Sequence, residues 1–152
     1  MSADLRELYQ EMILDHGRHP RNFGKPPHSS HTAEGYNPLC GDKCTVYLDV
    51  DDNGTVHDAH FSGNGCAIST ASASLMTEAV KGKSAEETAA IFERFHDVVT
   101  GKTDDEQALE DIGRLAVLAG VSKFPVRIKC ATLPWHTLQA ALRTSNEIVT
   151  TE

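Results

Sequence analysis

The feature that most restricts the fold is a change in the spacing of apolar residues after Ser62. Before that point, residues 43–51 alternate apolar side chains with polar or amphipathic ones, the pattern of a half-buried β-strand. An Asp-Asn-Gly turn signal at residues 52–54 and a strand-like segment at residues 55–62 complete an antiparallel hairpin. After Ser62 the apolar residues recur mainly at helical spacing.

This order of patterns predicts the fold class. A hairpin alone is only marginally stable in water, so these strands need cover from further strands or helices. Because strand patterns gather early and helix patterns gather late, we expect an α+β fold. It would be a small antiparallel sheet of about three strands packed against helices. The length of 152 residues suits a single domain over residues 1–152.

The chain is expected to begin with an amphipathic helix from about Ala3 to Asp15. Its inward face carries apolar residues at helical spacing, namely Leu5, Leu8, Tyr9, Met12 and Ile13. Gly17, Pro20 and Gly24 are expected to end it. Residues 22–38 are rich in proline, glycine, serine and histidine, which indicates a long surface loop.

Helical patterns dominate the rest of the chain. Residues 66–81 favour a helix whose many small side chains permit close packing against another element. Ser84 with Glu87 forms a capping-box signature for the next helix, and Gly101 ends that helix.

Two further helices are predicted near the C-terminus. Thr103 with Glu106 repeats the capping signature and opens a helix over about residues 104–119. In the last helix we expect Pro134 in the first turn, where a missing N–H is harmless. This interpretation places Cys130 just ahead of that helix.

Composition and charge exclude several classes of function. The formal net charge is −8, so we expect no nucleic-acid partner. No apolar run is long enough to span a bilayer, and the acidic N-terminus does not resemble a secretory signal. We therefore expect a cytoplasmic protein with no membrane partner. In a reducing compartment, four cysteines indicate metal binding or catalysis rather than disulfides.

Three of the cysteines stand at junctions between a loop or strand and a helix. Cys40 lies in the segment Asn-Pro-Leu-Cys-Gly-Asp at residues 37–42. Cys66 follows a Gly-Asn-Gly turn at residues 63–65 and opens a helix, whose N-terminus favours a thiolate. Cys130 follows two nearby cationic residues, Arg127 and Lys129, which also favour a thiolate.

Thiolates bind soft metals and accept sulfur. Three cysteines together with Asp42 can fill a tetrahedral zinc shell. The spacing is not that of a zinc finger, so from spacing alone both a ligand role and structural burial remain open. Cys44 is different, because it falls in register with Val46 and Leu48 and is expected to point into the core.

Three segments of the chain resemble the U-type iron–sulfur assembly proteins, the family of IscU, the NifU N-terminal domain and SufU. They are the string Gly-Asn-Gly-Cys-Ala-Ile-Ser at residues 63–69, Cys-Gly-Asp at residues 40–42, and Arg-Ile-Lys-Cys-Ala at residues 127–131. The resemblance extends from Leu8 to Trp135, and it implies a SufE/IscU-like fold.

Within this family the chain resembles the SufU branch. IscU scaffolds have a histidine before the third cysteine, and this chain has Lys129. IscU also carries a Leu-Pro-Pro-Val-Lys motif to which a chaperone docks. The matching residues 123–127 of this chain are Lys-Phe-Pro-Val-Arg. The predicted helix at residues 104–119 fits the extra residues that SufU proteins have between the second and third cysteines.

The resemblance implies a zinc-dependent sulfurtransferase of iron–sulfur cluster assembly. Cys40 would accept persulfide sulfur from a pyridoxal-phosphate-dependent, SufS-like cysteine desulfurase and pass it to downstream assembly proteins. Asp42, Cys66 and Cys130 would hold Zn²⁺ together with Cys40 at rest. Such a protein acts with the desulfurase rather than as a stand-alone enzyme. Arg127 is expected to contact the partner or stabilise a thiolate, and an ordinary surface charge is the alternative.

Other interpretations use the same residues. The thiols could bind iron and assemble a transient [2Fe–2S] cluster, as a scaffold does. Alternatively, the zinc could be purely structural. Cys44 could replace Asp42 as a ligand or receive sulfur from Cys40, although its strand register argues against both. Among the eight histidines we see no clear fourth ligand, and each singly is expected to be a surface or packing residue.

Overall fold

The computed structural model describes the backbone of residues 3–103, 105–143 and 147–150, and the side chains of residues 9–103 and 105–143. The helices are α1 Ala3–Arg18, α2 Ala67–Val80, α3 Ala85–Val99, α4 Glu106–Asp111 and α5 Pro125–Arg143, with a 3₁₀ segment Gly113–Lys123 before α5. The strands are β1 His31–Asn37, β2 Asp42–Val50, β3 Val56–Asn64 and β4 Glu147–Thr150. The expected α+β class is confirmed. Among the described helices, none is both long and apolar enough to cross a membrane.

The sheet has the strand order β3-β2-β1-β4. The predicted hairpin is confirmed as the antiparallel pair β2–β3, in which Tyr47 lies opposite His60. Gly54 has a φ of +82° in the connecting turn, a conformation that glycine adopts without strain. β1 adds a second antiparallel pair, and β4 adds a parallel strand that the sequence pattern did not indicate.

The prediction of a loop throughout residues 22–38 was wrong, because β1 occupies its second part. The inward side chains of β1 are Ala33, Gly35 and Asn37, which are too small or too polar to give an apolar alternation. A Cβ atom on Gly35 would collide with Thr137 and press on Leu133, both in α5. The small inward residues of β1 therefore allow α5 to approach the backbone of the strand closely.

α2 and α5 pack on the inner face of the sheet and against each other. The small side chains of α2 allow this close packing, and Ser72 donates a hydrogen bond of 2.5 Å to the backbone oxygen of Ala131 in α5. The core between these layers contains the fully buried Leu48, Met76 and Trp135. This packing brings the turn after β1, the start of α2 and the first turns of α5 together.

The prediction for the last helix was wrong at its start. α5 begins at Pro125, so Cys130 lies inside the helix and Pro134 lies in its interior. Pro125 takes the first position, where no N–H is needed. Pro134 has no N–H to give to the carbonyl four residues earlier, which is that of Cys130. The sequence offers two prolines as possible starts, and tertiary packing selects the earlier one.

The remaining predictions had mixed outcomes. The capping box of Ser84 with Glu87 is confirmed at the start of α3. The N-cap of α4 is Asp105 and not Thr103. The helix expected at residues 104–119 ends at Asp111, and the chain continues as a 3₁₀ segment from Gly113, whose φ is +56°.

Two of the predictions fall partly outside the described residues. Tyr9, Met12 and Ile13 pack against the core as expected for α1. The side chains of Leu5 and Leu8 lie outside the described residues, as does Asp104.

Candidate metal centre

The four predicted site residues line or border one open cleft of about 830 Å³. The turn between β1 and β2 contributes Cys40, and the first residue of β2 contributes Asp42. Cys66 stands immediately before α2, and Cys130 reaches the cleft from α5. Residues distant in sequence therefore meet because the sheet and two helices pack together.

The donor atoms of these residues lie close to one another. The Sγ atoms of Cys40 and Cys130 are 3.6 Å apart. Together with a carboxylate oxygen of Asp42, they form a group whose atoms all lie within 4.8 Å. Cys66 lies outside this tightest group, with its Sγ 3.9 Å from Oδ2 of Asp42.

Asp42 links two of the elements that form the cleft. Its side chain is only 2% exposed, although a buried carboxylate is stable only when its oxygens have partners. Oδ1 accepts a hydrogen bond of 3.1 Å from the backbone N–H of Cys66. The start of β2 is thereby tied to the start of α2.

Cys66 stands at the start of α2, as the sequence predicted, and the structure makes it the N-cap residue. Its backbone is extended, and its Sγ accepts a hydrogen bond of 3.5 Å from the backbone N–H of Ser69. The free N–H groups of a helix N-terminus attract negative charge. Gly63 makes this geometry possible, because its φ is +136° and a Cβ there would collide with the backbone of Lys43.

Cys130 differs from its prediction. Burial raises the pKa of its thiol, and hydrogen bonding with Asp42 and Cys40 adds to the effect. Arg127 interacts with this thiol in the direction expected, but the effect of burial on the pKa of Cys130 is larger; the expected effect of Lys129 stays a prediction. A metal ion is a stronger local charge and deprotonates a thiol that coordinates it.

Arg127 is exposed, but its guanidinium group lies beside the thiols. Negative charge at Cys66 raises the pKa of Arg127, and hydrogen bonding to Cys130 acts in the same direction. This contact is what stabilisation of a thiolate requires. Contact with a partner protein remains a prediction.

Cys44 points into the core, as its strand register predicted. It is 3% exposed, and burial raises the pKa of its thiol to about 12. It lies between Gly35 and Gly63 of the neighbouring strands, which leave room for its sulfur. Cys44 is not part of the group formed by Cys40, Asp42 and Cys130.

Asn37 is a residue to which the sequence analysis gave no role. It is fully buried beneath the turn that carries Cys40. Its Oδ1 accepts a hydrogen bond from the backbone N–H of Leu39, and its backbone oxygen accepts one from Gly41. Asparagine before proline is a turn signal, so this role could have been inferred from residues 37–38.

The rim of the cleft is apolar. Leu39 is 64% exposed beside Cys40, and Phe124 and Val126 are 60% and 52% exposed at the start of α5. Phe124 and Val126 line the cleft together with Lys123 and Arg127. Exposed apolar side chains grouped around a polar site are typical of a surface that contacts another protein.

The chain was compared with known protein families and structures. Residues 8–147 match the NifU-like N-terminal domain. Zinc-dependent sulfurtransferase SufU of Bacillus subtilis is 44% identical, over 91% of this chain and 91% of that protein. Iron–sulfur cluster assembly scaffold protein IscU of Streptococcus pyogenes is 40% identical, over 94% of this chain and 87% of that protein.

A solved structure shares the fold. It is that of a protein from Fervidobacterium islandicum described as an iron–sulfur cluster assembly scaffold for the SUF system. It is 33% identical, with a TM-score of 0.80, and the match covers 93% of this chain and 99% of that one. The sequence match and the fold agree, and this chain belongs to the NifU-like N-terminal domain family, together with proteins named SufU and IscU.

Proposed function

We propose that this protein is a zinc-dependent sulfur acceptor of iron–sulfur cluster assembly. Cys40 would receive sulfane sulfur from a pyridoxal-phosphate-dependent, SufS-like cysteine desulfurase in the cytoplasm and pass it to downstream assembly proteins. The observation that carries the proposal is the contrast among the grouped donors: Asp42 and Cys130 are buried, whereas Cys40 is half-buried on a turn at the mouth of the cleft. The name of the Bacillus subtilis relative supports it.

The donor set suits zinc. Zinc–sulfur bonds of about 2.3 Å in a tetrahedral shell place two sulfurs about 3.8 Å apart. The 3.6 Å between the sulfurs of Cys40 and Cys130 agrees with this spacing. Asp42 offers an oxygen ligand close by, and the Sγ of Cys66 lies 3.9 Å from that carboxylate. Bound zinc would keep the thiols deprotonated without supplying redox chemistry.

The transfer itself is a thiol–persulfide exchange. The thiolate of Cys40 attacks the outer sulfur of the donor persulfide, and a bond forms between its Sγ and that sulfur. The sulfur–sulfur bond of the donor breaks, and its electron pair stays on the cysteine thiolate of the desulfurase. Atoms and electrons balance without a further oxidant or reductant.

The position of Cys40 suits this exchange. It is half-buried on a turn, so its side chain can leave the donor group while Asp42, Cys66 and Cys130 keep their places on β2, at the start of α2 and in α5. Arg127 lies where it can compensate the negative charge of a released thiolate.

The apolar rim is where we expect the desulfurase to dock. Leu39, Phe124 and Val126 surround the approach to Cys40, and an approaching protein would bury them while its persulfide enters the cleft. Apolar contacts around a polar centre are typical of protein–protein interfaces. The net charge of −8 argues against nucleic acid as the alternative partner.

The second candidate function is a scaffold that binds iron and builds a [2Fe–2S] cluster on the same cysteines. The name of the Streptococcus pyogenes relative favours it. Lys129 argues for sulfur acceptance instead. IscU scaffolds, which this chain resembles, have a histidine at that position as a possible cluster ligand. A lysine ammonium group cannot coordinate iron.

The test is sulfide release from cysteine by a SufS-type desulfurase mixed with the metal-analysed protein. We expect strong stimulation by protein that carries one zinc, and loss of that stimulation in Cys40→Ala. Cys44→Ala is the matched control, since it removes a thiol four residues away, and it should stimulate normally. Absence of stimulation, together with iron uptake and cluster absorbance, would establish the scaffold instead.

A further inference from the structure

A second pocket of about 350 Å³ lies between α3 and α5 and shares no residue with the cleft around Cys40. Its polar lining comes in two pairs: Glu93 and His96 from α3, and His136 and Gln139 from α5. Members of each pair are three residues apart, so each pair lies on one face of its helix. Two helices thus present four side chains that can coordinate a metal to one space.

The two histidines are close enough to share an ion. Their ring centroids are 6.5 Å apart, and each ring meets Phe92 edge-on, at 5.9 Å for His96 and 5.1 Å for His136. With metal–nitrogen bonds of about 2.1 Å, two imidazoles on one ion have centroids about 5 to 6.5 Å apart. As placed, the donor atoms of His96, His136 and Glu93 do not form a group within 4.8 Å, so the proposal requires their side chains to rotate toward one ion.

The protonation state of His136 also favours a metal. Burial lowers the pKa of His136, and the charge of neighbouring His96 lowers it further. His136 is therefore neutral at pH 7 and has a lone pair for coordination. Phe92 forms a wall of the pocket beside both imidazole rings.

Two further groups complete the set. Glu93 is exposed, so its carboxylate is free to turn toward His96 on the same helix face. The Nε2 atom of Gln139 is buried and has no hydrogen-bond partner among the described residues. An unpaired buried amide is unfavourable, and an occupant that brings bound water to the pocket would satisfy it.

We propose that His96, His136 and Glu93 form a second metal site, which binds a divalent first-row transition ion in the groove between α3 and α5. Two imidazoles and one carboxylate are a donor set that zinc and ferrous sites use with positions left open to water. The site contains no sulfur, so it differs in chemistry from the cleft around Cys40. This proposal does not depend on the proposed sulfur acceptance.

The single tryptophan of the chain provides the test. Trp135 stacks on Phe92 at 5.7 Å, next to His136 in sequence. We would load the protein with one equivalent of Zn²⁺ to fill the thiol cleft, titrate with Co²⁺, and follow Trp135 fluorescence and visible absorbance. We expect quenching that saturates near one equivalent of Co²⁺, without a sulfur-to-cobalt charge-transfer band.

Variants assign the site. His96→Ala and His136→Gln should each weaken Co²⁺ binding at least about tenfold, and Glu93→Gln should weaken it less. His57→Ala, at an exposed histidine on β3, is the matched control and should bind Co²⁺ like wild type. Circular dichroism and thermal melting show whether each variant is folded. If His136→Gln does not fold, His96→Ala still assigns the site independently.

Two results would overturn the proposal: no saturable quenching in wild type, or quenching that is unchanged in both histidine variants. Cys40→Ala separates this proposal from the previous one. That variant loses the proposed sulfur acceptance, yet it should still bind Co²⁺ in the groove with unchanged affinity.

Discussion

The turn before β2 and β2 itself each carry a cysteine, and their structures have opposite consequences for the two thiols. Cys40 is half-buried, on a turn held by two hydrogen bonds to Asn37. Cys44, four residues later, is 3% exposed and fixed between strands on both sides. Backbone register, rather than residue type, therefore decides which thiol can react.

The largest expected effect is on where sulfur is found. After incubation with desulfurase and cysteine, mass spectrometry should detect persulfide on the peptide that contains Cys40 and none on Cys44. Cys40→Ser should lower total persulfide at least about 100-fold, because a hydroxyl cannot hold sulfane sulfur. Persulfide on Cys44 would show that burial in the sheet does not protect its thiol from sulfur transfer, which would contradict the distinction between Cys40 and Cys44.

Metal removal should affect the turn and the strand differently. A chelator that removes zinc should lower the free energy of unfolding by about 4 kcal/mol where zinc was present at about 1,000 times its Kd. Hydrogen exchange should accelerate at the backbone amides of Leu39 and Gly41, because the metal no longer ties the turn to α5. The amide of Val46 in β2 is the control, and equal acceleration there would contradict the distinction.

Cys44→Ser tests the strand side of the comparison. A hydroxyl group buried in the core lowers the free energy of unfolding of the protein by about 1–3 kcal/mol unless it has a hydrogen-bond partner. Urea denaturation should therefore show a lower midpoint, while zinc content stays at the wild-type value. Loss of zinc from a folded Cys44→Ser protein would make Cys44 a ligand and refute the assignment of Asp42.

Asn37→Ala tests the turn side. The substitution removes the acceptor for the backbone N–H of Leu39, which contributes about 1 kcal/mol. We expect a small loss of stability and faster alkylation of Cys40 by iodoacetamide in zinc-loaded protein. Asn53→Ala, in the exposed hairpin turn at the other end of β2, is the control and should leave the alkylation rate unchanged.

The smallest effect is expected at Arg127. Its guanidinium is exposed and screened by solvent, so Arg127→Ala should slow sulfur uptake by less than about tenfold. Added salt should reduce the difference from wild type. Lys123→Ala, which removes another cation that lines the cleft, is the control; an equal effect of both would indicate a general charge effect instead of contact with the thiols.

Local signals in the sequence predicted the elements that depend on local chemistry. The alternation in β2, the N-cap at Cys66 and the capping box at Ser84 were all found in the structure. β1 was missed because its inward residues are determined by close packing against α5, which is distant in sequence. The start of α5 was missed because Pro125 and Pro134 are equally acceptable locally.

The candidate site could be predicted only in part for the same reason. Spacing alone left the roles of three cysteines open, and the resemblance to a family was needed to group them with Asp42. The histidine pair escaped notice because His96 and His136 carry no local motif and meet only when α3 packs on α5. Asn37 had a turn signal, but its burial depends on the sheet.

The sequence separation of 90 residues from Cys40 to Cys130 has a consequence for protein synthesis. A nascent chain exposes Cys40, Asp42 and Cys66 well before Cys130 leaves the ribosome. The complete set of donors exists only after α5 has been translated and has docked on β1 and β2. A chain that has not been translated as far as Cys130 therefore offers at most three of the four donors, and the group of Cys40, Asp42 and Cys130 cannot form in it.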